Sequence, residues 1–448
     1  MSTDSTLKQP GVRTLGADST GFTHTTALEF ATAGPPPAAV VQPTTTAEVV
    51  AAVRAAREAD LPVSVRSGGH SYAGHGAGQG ALAIDLRAVN DVAIDPRDLV
   101  GRAGGGTMAG AYTTAAAEFG LATGFGDTPT VGIAGLTLGG GIGYLSRRDG
   151  LTIDNLLGAE VVLADGSVVT VDDATHPDLF WALRGGGGNF GVVTELSYRL
   201  RATAVVTGGM LAFVPTPELV AAAAAAFLAA PDELGGMINL MIAPPAPFLP
   251  ERVHGEPLML ALLAWSGPAS RVEAALAPLR AIGEPVVDTL TARPYPEMLQ
   301  SPPGDGQTPY AVARTGFTDR VDEEWGARAL AALAAQVTPR ALVNLRPMGG
   351  AIARATHDTA FAHRDRAMMA SVIALTPDVG AVGGAESWVG DAHAALQLAG
   401  PGYVNFMSSA TPDDVSAAYP GEVLERLREV KRRYDPDNVF RFNHNLTP

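Results

Sequence analysis

An α+β fold in more than one domain is what the sequence predicts, and three observations predict it. The chain has 448 residues, 46% of them hydrophobic, which is enough to bury a large core and, at that length, to divide into about two domains. Short β-type runs alternate with helical runs as far as Leu200, whereas from about Val205 alanine and proline increase and the strands and helices change their arrangement. Runs of the second kind suit one antiparallel sheet with helices on one face, which leaves the other face for a ligand.

In chain order, residues 1–21 are polar and are expected to be mobile. Residues 39–43 read as a strand, and Thr46 as the N-cap of a helix to about Ala59, with Val49, Val50 and Val53 on its apolar face. Pro62 ends that helix and starts a strand to Val65. Residues 81–86, with the runs around Val92 and Val100, read as a second small sheet, followed by a helix from about Met108 to Phe119. The stretch 128–143 has too many glycines for a stable helix, since each costs about 1 kcal/mol relative to alanine; it reads as a segment of close approach. Residues 157–163 form a strand that turns at Asp165-Gly166. A short helix at 176–183 and a strand at 189–200 follow. Beyond Val205, strands are expected at 237–242, 258–265, 311–317 and 368–375, and helices at 217–229, 271–281 and 323–337, with a last amphipathic helix at 420–434.

Composition excludes several functions. A formal charge of −15 with no basic patch argues against nucleic acid or an anionic membrane as partner. Without cysteine there is no disulfide, thiolate metal site or cysteine nucleophile. The start lacks an apolar stretch behind basic residues, so no secretory signal is expected and the location is expected to be cytoplasmic. The alanine-rich run at 220–230 stops at Pro231, too soon to span a bilayer.

Three glycine-rich segments carry the functional signal. The first is Arg66-Ser67-Gly68-Gly69-His70-Ser71-Tyr72, entered directly from a strand. Adjacent glycines let backbone N–H groups converge on a phosphate, and a histidine stands beside whatever the phosphate belongs to. The second runs from Thr128-Pro129-Thr130-Val131-Gly132 to Gly139-Gly140-Gly141-Ile142-Gly143, and the third from Arg184 to Val193. A dinucleotide turn at Gly139–Gly143 would need a preceding strand, a following helix and an acid about 20 residues on, none of which is clear. His70 and His75 form a His-x4-His pair, but zinc wants more ligands, so no metal is expected.

At these residues the chain resembles the flavoprotein oxidases with the vanillyl-alcohol-oxidase (PCMH) type of FAD domain, in the berberine-bridge-enzyme-like and 6-hydroxynicotine-oxidase-like branch. The resemblance runs from Val40-Val41-Gln42-Pro43 to the tail ending at Asn445. It implies an FAD domain made of 1–205 and 409–448, with a substrate domain at 206–408 inserted between them. It also implies FAD joined through its 8α carbon to His70. Cofactor contacts by resemblance fall on Arg66, Ser67, Gly68, Gly69, His70 and Ser71, and on Thr128, Thr130, Gly132, Gly135, Leu138, Gly139, Gly140, Gly141 and Gly143. Val192, Val193, Asn405, Asn443 and Asn445 complete the set. Many relatives add a second bond from a cysteine in C-P-T-V-G; Thr128 stands there, so one bond through His70 is expected.

The usual proton acceptors of the family are missing. After Ala362-His363-Arg364 the base position falls at about Ala370, with Val372 beside it, and the second motif reads Tyr403-Val404-Asn405-Phe406. Tyr403 and Asn405 are then the candidate catalytic residues, a satisfied structural tyrosine being the alternative. Met368, Ala370, Val372 and Ala374 share one strand face, and with Met241 and Phe406 are expected to line an uncharged substrate cavity. These features imply an oxidase that takes hydride from a hydrophobic, aromatic or polycyclic small molecule and passes electrons to O2. A flavin monooxygenase of secondary metabolism and a non-catalytic flavin-binding protein remain open as alternatives. A monomer or homodimer is expected.

Overall fold

The computed structural model describes residues 13–300, 307–355, 357–400, 402–409 and 411–448. Residues 1–12 of the start expected to be mobile lie outside them. Its remainder is structured, because Arg13–Gly16 adds an antiparallel edge to Ala39–Gln42 and is followed by helix Phe22–Thr26.

The first sheet has the order Arg13–Gly16, Ala39–Gln42, Leu82–Asp85, Val63–Arg66. Its last three strands are parallel, so they need crossover connections. Helix Thr46–Glu58 makes one of them and buries Val49, Ala52, Val53 and Ala56 against the sheet. Its N-cap is Thr45 rather than the expected Thr46: the Thr45 hydroxyl accepts from the Glu48 N–H at 3.3 Å. Leu82–Asp85, expected in the second sheet, lies inside the first. All four of its residues are buried, as a parallel strand covered on both faces requires.

The second sheet is antiparallel, in the order Val92–Asp95, Val100–Gly104, Val192–Arg199, Leu156–Val162, Val168–Val171. Between these strands the glycine-rich stretch does form a helix, Ile133–Gly139. Tertiary burial of Ile133, Ala134, Thr137 and Leu138 outweighs the glycine propensity, which is a weak prior over so few residues.

The third sheet is large and wholly antiparallel. Val205–Phe213, Pro257–Trp265, Leu234–Ile242, Ala341–Pro347, Met368–Thr376 and Tyr310–Thr318 follow one another across it, with Val287–Asp288 and Thr291–Pro294 at the first edge. Helices Pro217–Ala229, Val272–Arg280, Glu323–Ala334 and Val382–Ala395 cover one face, packing Phe227, Leu276, Trp325 and Trp388 onto Ile238, Leu240 and Leu345. The α+β class with an antiparallel sheet backed by helices is thus observed. Among the described residues no helix is long and apolar enough to cross a membrane.

Helix Glu422–Tyr434 returns the chain to the first part of the molecule, burying Leu424, Leu427, Val430 and Tyr434 against helix Pro177–Leu183. Lys431, fully buried, donates to Asp435 at 2.6 Å and to the carbonyls of Asn189 and Phe440 at 2.8 and 3.1 Å. Removing one partner of a buried pair strands the other, at about 3–5 kcal/mol. Lys431→Met is therefore expected to lower the free energy of unfolding by that order, and an unchanged value would show that the tail is held otherwise.

Candidate active site

The turn bearing His70 and the second glycine-rich stretch meet backbone to backbone. A Cβ on Gly68 would stand 2.2 Å from the Gly132 nitrogen, and one on Gly132 2.2 Å from the Ser67 hydroxyl, so only glycine fits either place. Ser67 donates to the Gly105 carbonyl at 2.7 Å, and buried Arg66 to the Thr25 carbonyl at 2.5 Å. Both side chains therefore anchor the turn to its surroundings. Ser71 caps it, its carbonyl accepting from the Gly74 N–H.

His70 is presented with its side chain 15% exposed, Nε2 3.9 Å from the Glu29 carboxylate and the Phe30 ring edge-on at 6.5 Å. Burial lowers its pKa, and this outweighs the opposing pull of Glu29 and a backbone hydrogen bond to Thr130. Burial thus favours the neutral imidazole. His75 turns away to a different neighbour. Its ring packs edge-on against His444 at 5.0 Å, burial and that neighbour push its pKa down to about 3, and no group of three metal-binding side chains occurs among the described residues.

The residues present fit FAD. Thr130 and Gly135 are exposed on the segment facing the His70 turn, and the space beside Gly135 is open. On the tail, Asn443 Oδ1, His444 Nε2 and Asn445 Oδ1 are buried without a protein partner among the described residues. Each such group costs about 1–3 kcal/mol when unsatisfied, so three in succession suit a polar cofactor. The tail is held by Asn189, which donates to the His444 carbonyl at 3.1 Å and accepts from the Leu446 N–H at 2.9 Å. Leu138, Val192 and Val193 put their side chains in the cores. Gly143 is glycine because a Cβ would meet the Phe125 carbonyl at 1.7 Å. Thr128 donates to Asp127 at 3.0 Å.

Tyr403 and Asn405 clasp the glycine stretch. The Tyr403 hydroxyl accepts from the Gly141 N–H at 2.7 Å and from Asn405 Nδ2 at 2.8 Å, while Nδ2 also donates to the Leu136 carbonyl at 2.8 Å. Gly139 leaves room for the Asn405 amide, which a Cβ would approach to 2.1 Å, and Gly140 and Gly141 take φ of +135° and +81°. Burial pushes the Tyr403 pKa up to about 12 despite those two donors. A phenol whose lone pairs are both engaged is a poor proton acceptor, and these contacts match the alternative named from sequence, a satisfied structural tyrosine.

The substrate-side assignment changes. Met368, Ala370, Val372 and Ala374 pack under the helices with Trp388 and Val389, so Ala370 and Val372 do not line the flavin-facing side. The opposite row turns toward the glycine stretch: Met369 packs with Ile142, Phe317, Phe361 and Tyr403. Met241 shares this face with Met237 and Asn239, and half-buried Phe406 lies in it, 6.0 Å from the Tyr72 ring and 5.4 Å from that of Tyr403. Phe30 adds a ring 4.7 Å from Tyr72.

Sequence reasoning missed the polar core of this wall. Arg346, buried, pairs with Asp127 and stands 5.1 Å over the Phe406 ring. Burial opposes ionisation of Asp127, but the Arg346 guanidinium outweighs it and holds the carboxyl below its ordinary pKa. Burial, with Asp127 adding to it, pushes Tyr72 up to about 12. The available signal was Asn344 and Arg346 at alternate positions of an otherwise apolar strand.

A cofactor cradle of glycine turns and a helix-backed antiparallel sheet facing it define an FAD-dependent oxidoreductase. Residues 37–172 match a family described as FAD binding domain, and 402–447 one described as berberine and berberine-like. The chain is 34% identical over 424 residues to (R)-6-hydroxynicotine oxidase of Paenarthrobacter nicotinovorans, covering 90% of this chain and 89% of that one. The crystal structure of 6-hydroxy-D-nicotine oxidase from Arthrobacter nicotinovorans superposes with a TM-score of 0.88 at 28% identity, covering 98% of both. The glucooligosaccharide oxidase of Acremonium strictum, described as carrying 6-S-cysteinyl, 8α-N1-histidyl FAD, has the same fold, with a TM-score of 0.85, 24% identity, and 100% and 99% coverage. The chain belongs to the FAD-linked oxidases of the berberine-bridge-enzyme-like and 6-hydroxynicotine-oxidase-like branch, and is an FAD-dependent oxidase acting on a small molecule.

Tyr403→Phe is expected to reduce the rate of flavin reduction by no more than a few-fold while lowering thermal stability. A loss of about 10²-fold, as for a general base, would return the proton to Tyr403.

Proposed function

We propose that the enzyme oxidises an aromatic or heteroaromatic small molecule at a C–H beside an amine or electron-rich ring, with O2 as acceptor and hydrogen peroxide as product. FAD, when bound, supplies the hydride acceptor. His70 would hold it as the single covalent anchor, since Thr128 has no sulfur to offer and is bonded to Asp127. The Gly139–Gly141 stretch, clasped by Tyr403 and Asn405, would form part of the wall that holds the cofactor. The domain division at about 205 and 408 expected from sequence belongs to this reading.

The observation that carries the substrate class is the run of rings from Phe30 through Tyr72 to Phe406, with Met237, Met241 and Met369 on the facing sheet. Flat aromatic surface and adaptable thioethers suit an irregular ring system. The coverage of relatives supports the same reading. Sequence similarity to (R)-6-hydroxynicotine oxidase spans 90% of this chain, and sequence similarity to the glucooligosaccharide oxidase of Sarocladium strictum 36%. Arg346 and Asp127 neutralise each other, leaving aromatic packing to do most of the binding.

Two measurements test this. In acid-denatured protein the flavin is expected to remain on one peptide, that containing His70, and His70→Ala to release it; free flavin from the unaltered protein, or flavin on a peptide covering Thr128, would refute the single anchor. Under anaerobic conditions, cyclic amines borne on aromatic rings, 6-hydroxynicotine among them, are expected to bleach the oxidised flavin faster than cello-oligosaccharides, with stoichiometric peroxide on admitting O2. Faster reduction by the sugars would overturn the substrate class, and oxygen incorporated into product in place of peroxide would make the enzyme a monooxygenase.

A further inference from the structure

Along the flavin-facing side of the large sheet a polar chain crosses three elements. Arg346 donates through Nη2 to Asp127 and through Nε to Asn344 Oδ1 at 3.0 Å; Asn344 Nδ2 in turn donates to Asn239 Oδ1 at 2.6 Å. The direction of this chain is dictated by chemistry. A guanidinium has donors only, so Asn344 must turn its carbonyl oxygen toward Arg346 and its NH2 toward Asn239. Asn239 must then meet that NH2 with its own oxygen, which leaves the Asn239 NH2 pointing onward. The amide orientations, ordinarily a matter of choice, are here fixed from the ion pair outward.

Among the described residues no other group bonds to these two amides. Asn239 faces Leu260 in register on one side and Asn344 on the other. Ser371, the register partner of Asn344, is 1% exposed and its hydroxyl bonds to no protein atom among the described residues. Asn344 is 4% exposed, whereas Asn239 is only half-buried and its Nδ2 donates to no protein atom among the described residues. Asn239 shares its strand face with Met237, which packs in one cluster with Tyr144 from the cofactor side. Its amide hydrogens therefore reach the space between the sheet and the glycine stretch.

We infer that Asn239 is the specificity-determining hydrogen-bond donor of the substrate cavity, set in that polarity by Asn344, Arg346 and Asp127. The substrate it selects carries a hydrogen-bond acceptor beside its apolar ring system: a carbonyl, ether or pyridone oxygen, or an unprotonated ring nitrogen. This rests on the reading of the sheet face as the substrate wall. Asn344 and Asp127 act through Asn239 and are positioning residues.

Acetophenone and α-methylstyrene have the same shape, one ending in C=O and the other in C=CH2, so their relative affinity isolates the acceptor. Each is titrated into the oxidised holoenzyme, with binding read from the flavin absorbance. A net neutral hydrogen bond corresponds to about a 2- to 10-fold preference, and the unaltered enzyme is expected to favour acetophenone within that range. Asn239→Leu should bring the ratio to about one, and Asn239→Asp, an acceptor only, below one. The sharper variant is Asn344→Asp. It keeps the bond from Arg346 but forces the unaltered Asn239 to turn its NH2 inward and show its oxygen to the cavity, so the preference should reverse. If the probes perturb the flavin but Asn239→Asp and Asn344→Asp keep the original ratio, the inference is overturned and the site reading stands. If neither probe perturbs the flavin of the unaltered enzyme, the site reading falls and the inference with it.

Discussion

The ion pair between Asp127 and Arg346 is the interaction on which the site depends, because it joins the segment that approaches the cofactor to the sheet that faces it. Burying two charges costs several kcal/mol per ion, and the attraction between them repays this only when their remaining hydrogen-bonding capacity is also used. Here it is. Thr128 donates to the second carboxylate oxygen at 3.0 Å, Arg346 Nε donates to Asn344, and the guanidinium lies over the Phe406 ring. Lysine could not replace Arg346, since a single ammonium cannot pair with a carboxylate, aim a second donor at an amide and stack on a ring. What the pair contributes is registration of two parts of the chain 219 residues apart.

The Tyr403 and Asn405 clasp solves the same problem on the other side of the site. Left-handed glycines at 140 and 141 give a backbone that could settle in several ways. Two side chains from the far end of the chain select one of them by taking up the Gly141 N–H and the Leu136 carbonyl. Tyr403 itself is held by Thr315, whose hydroxyl accepts from the Tyr403 N–H at 2.9 Å. The glycine stretch is thus referenced to the large sheet twice, through Thr315 and through Arg346. Helix propensity was an unreliable guide there because these contacts, not local preference, decide the conformation.

What was legible in the sequence follows from how local each feature is. The His70 turn, the Asp165-Gly166 hairpin and helix Pro217–Ala229 are set by neighbouring residues and were read correctly. The face of Met368–Thr376 that looks toward the cofactor was not legible. Period-two alternation yields two rows, both here small or apolar, and a shift of one residue exchanges them; the covering helices, remote in sequence, make the choice. The polar stripe was half legible. Asn239, Asn344 and Arg346 stand out in apolar strands, but that they fall side by side depends on register between strands about a hundred residues apart.

The absence of a base at the usual places bears on how a substrate amine loses its proton. The Asp127 carboxylate, on the loop before the glycine stretch, is committed to Arg346 of the sheet, and Tyr403 is un-ionised. A buried site whose ion pair is internally neutral offers a cationic amine no compensating charge, and desolvation therefore favours its neutral form. Only the neutral amine has the lone pair that assists hydride loss from the adjacent carbon. On the proposed substrate, exclusion of water and the closure of the Asp127 and Arg346 charges onto each other would thus take over part of the work that a protein base performs elsewhere, by admitting the amine already deprotonated.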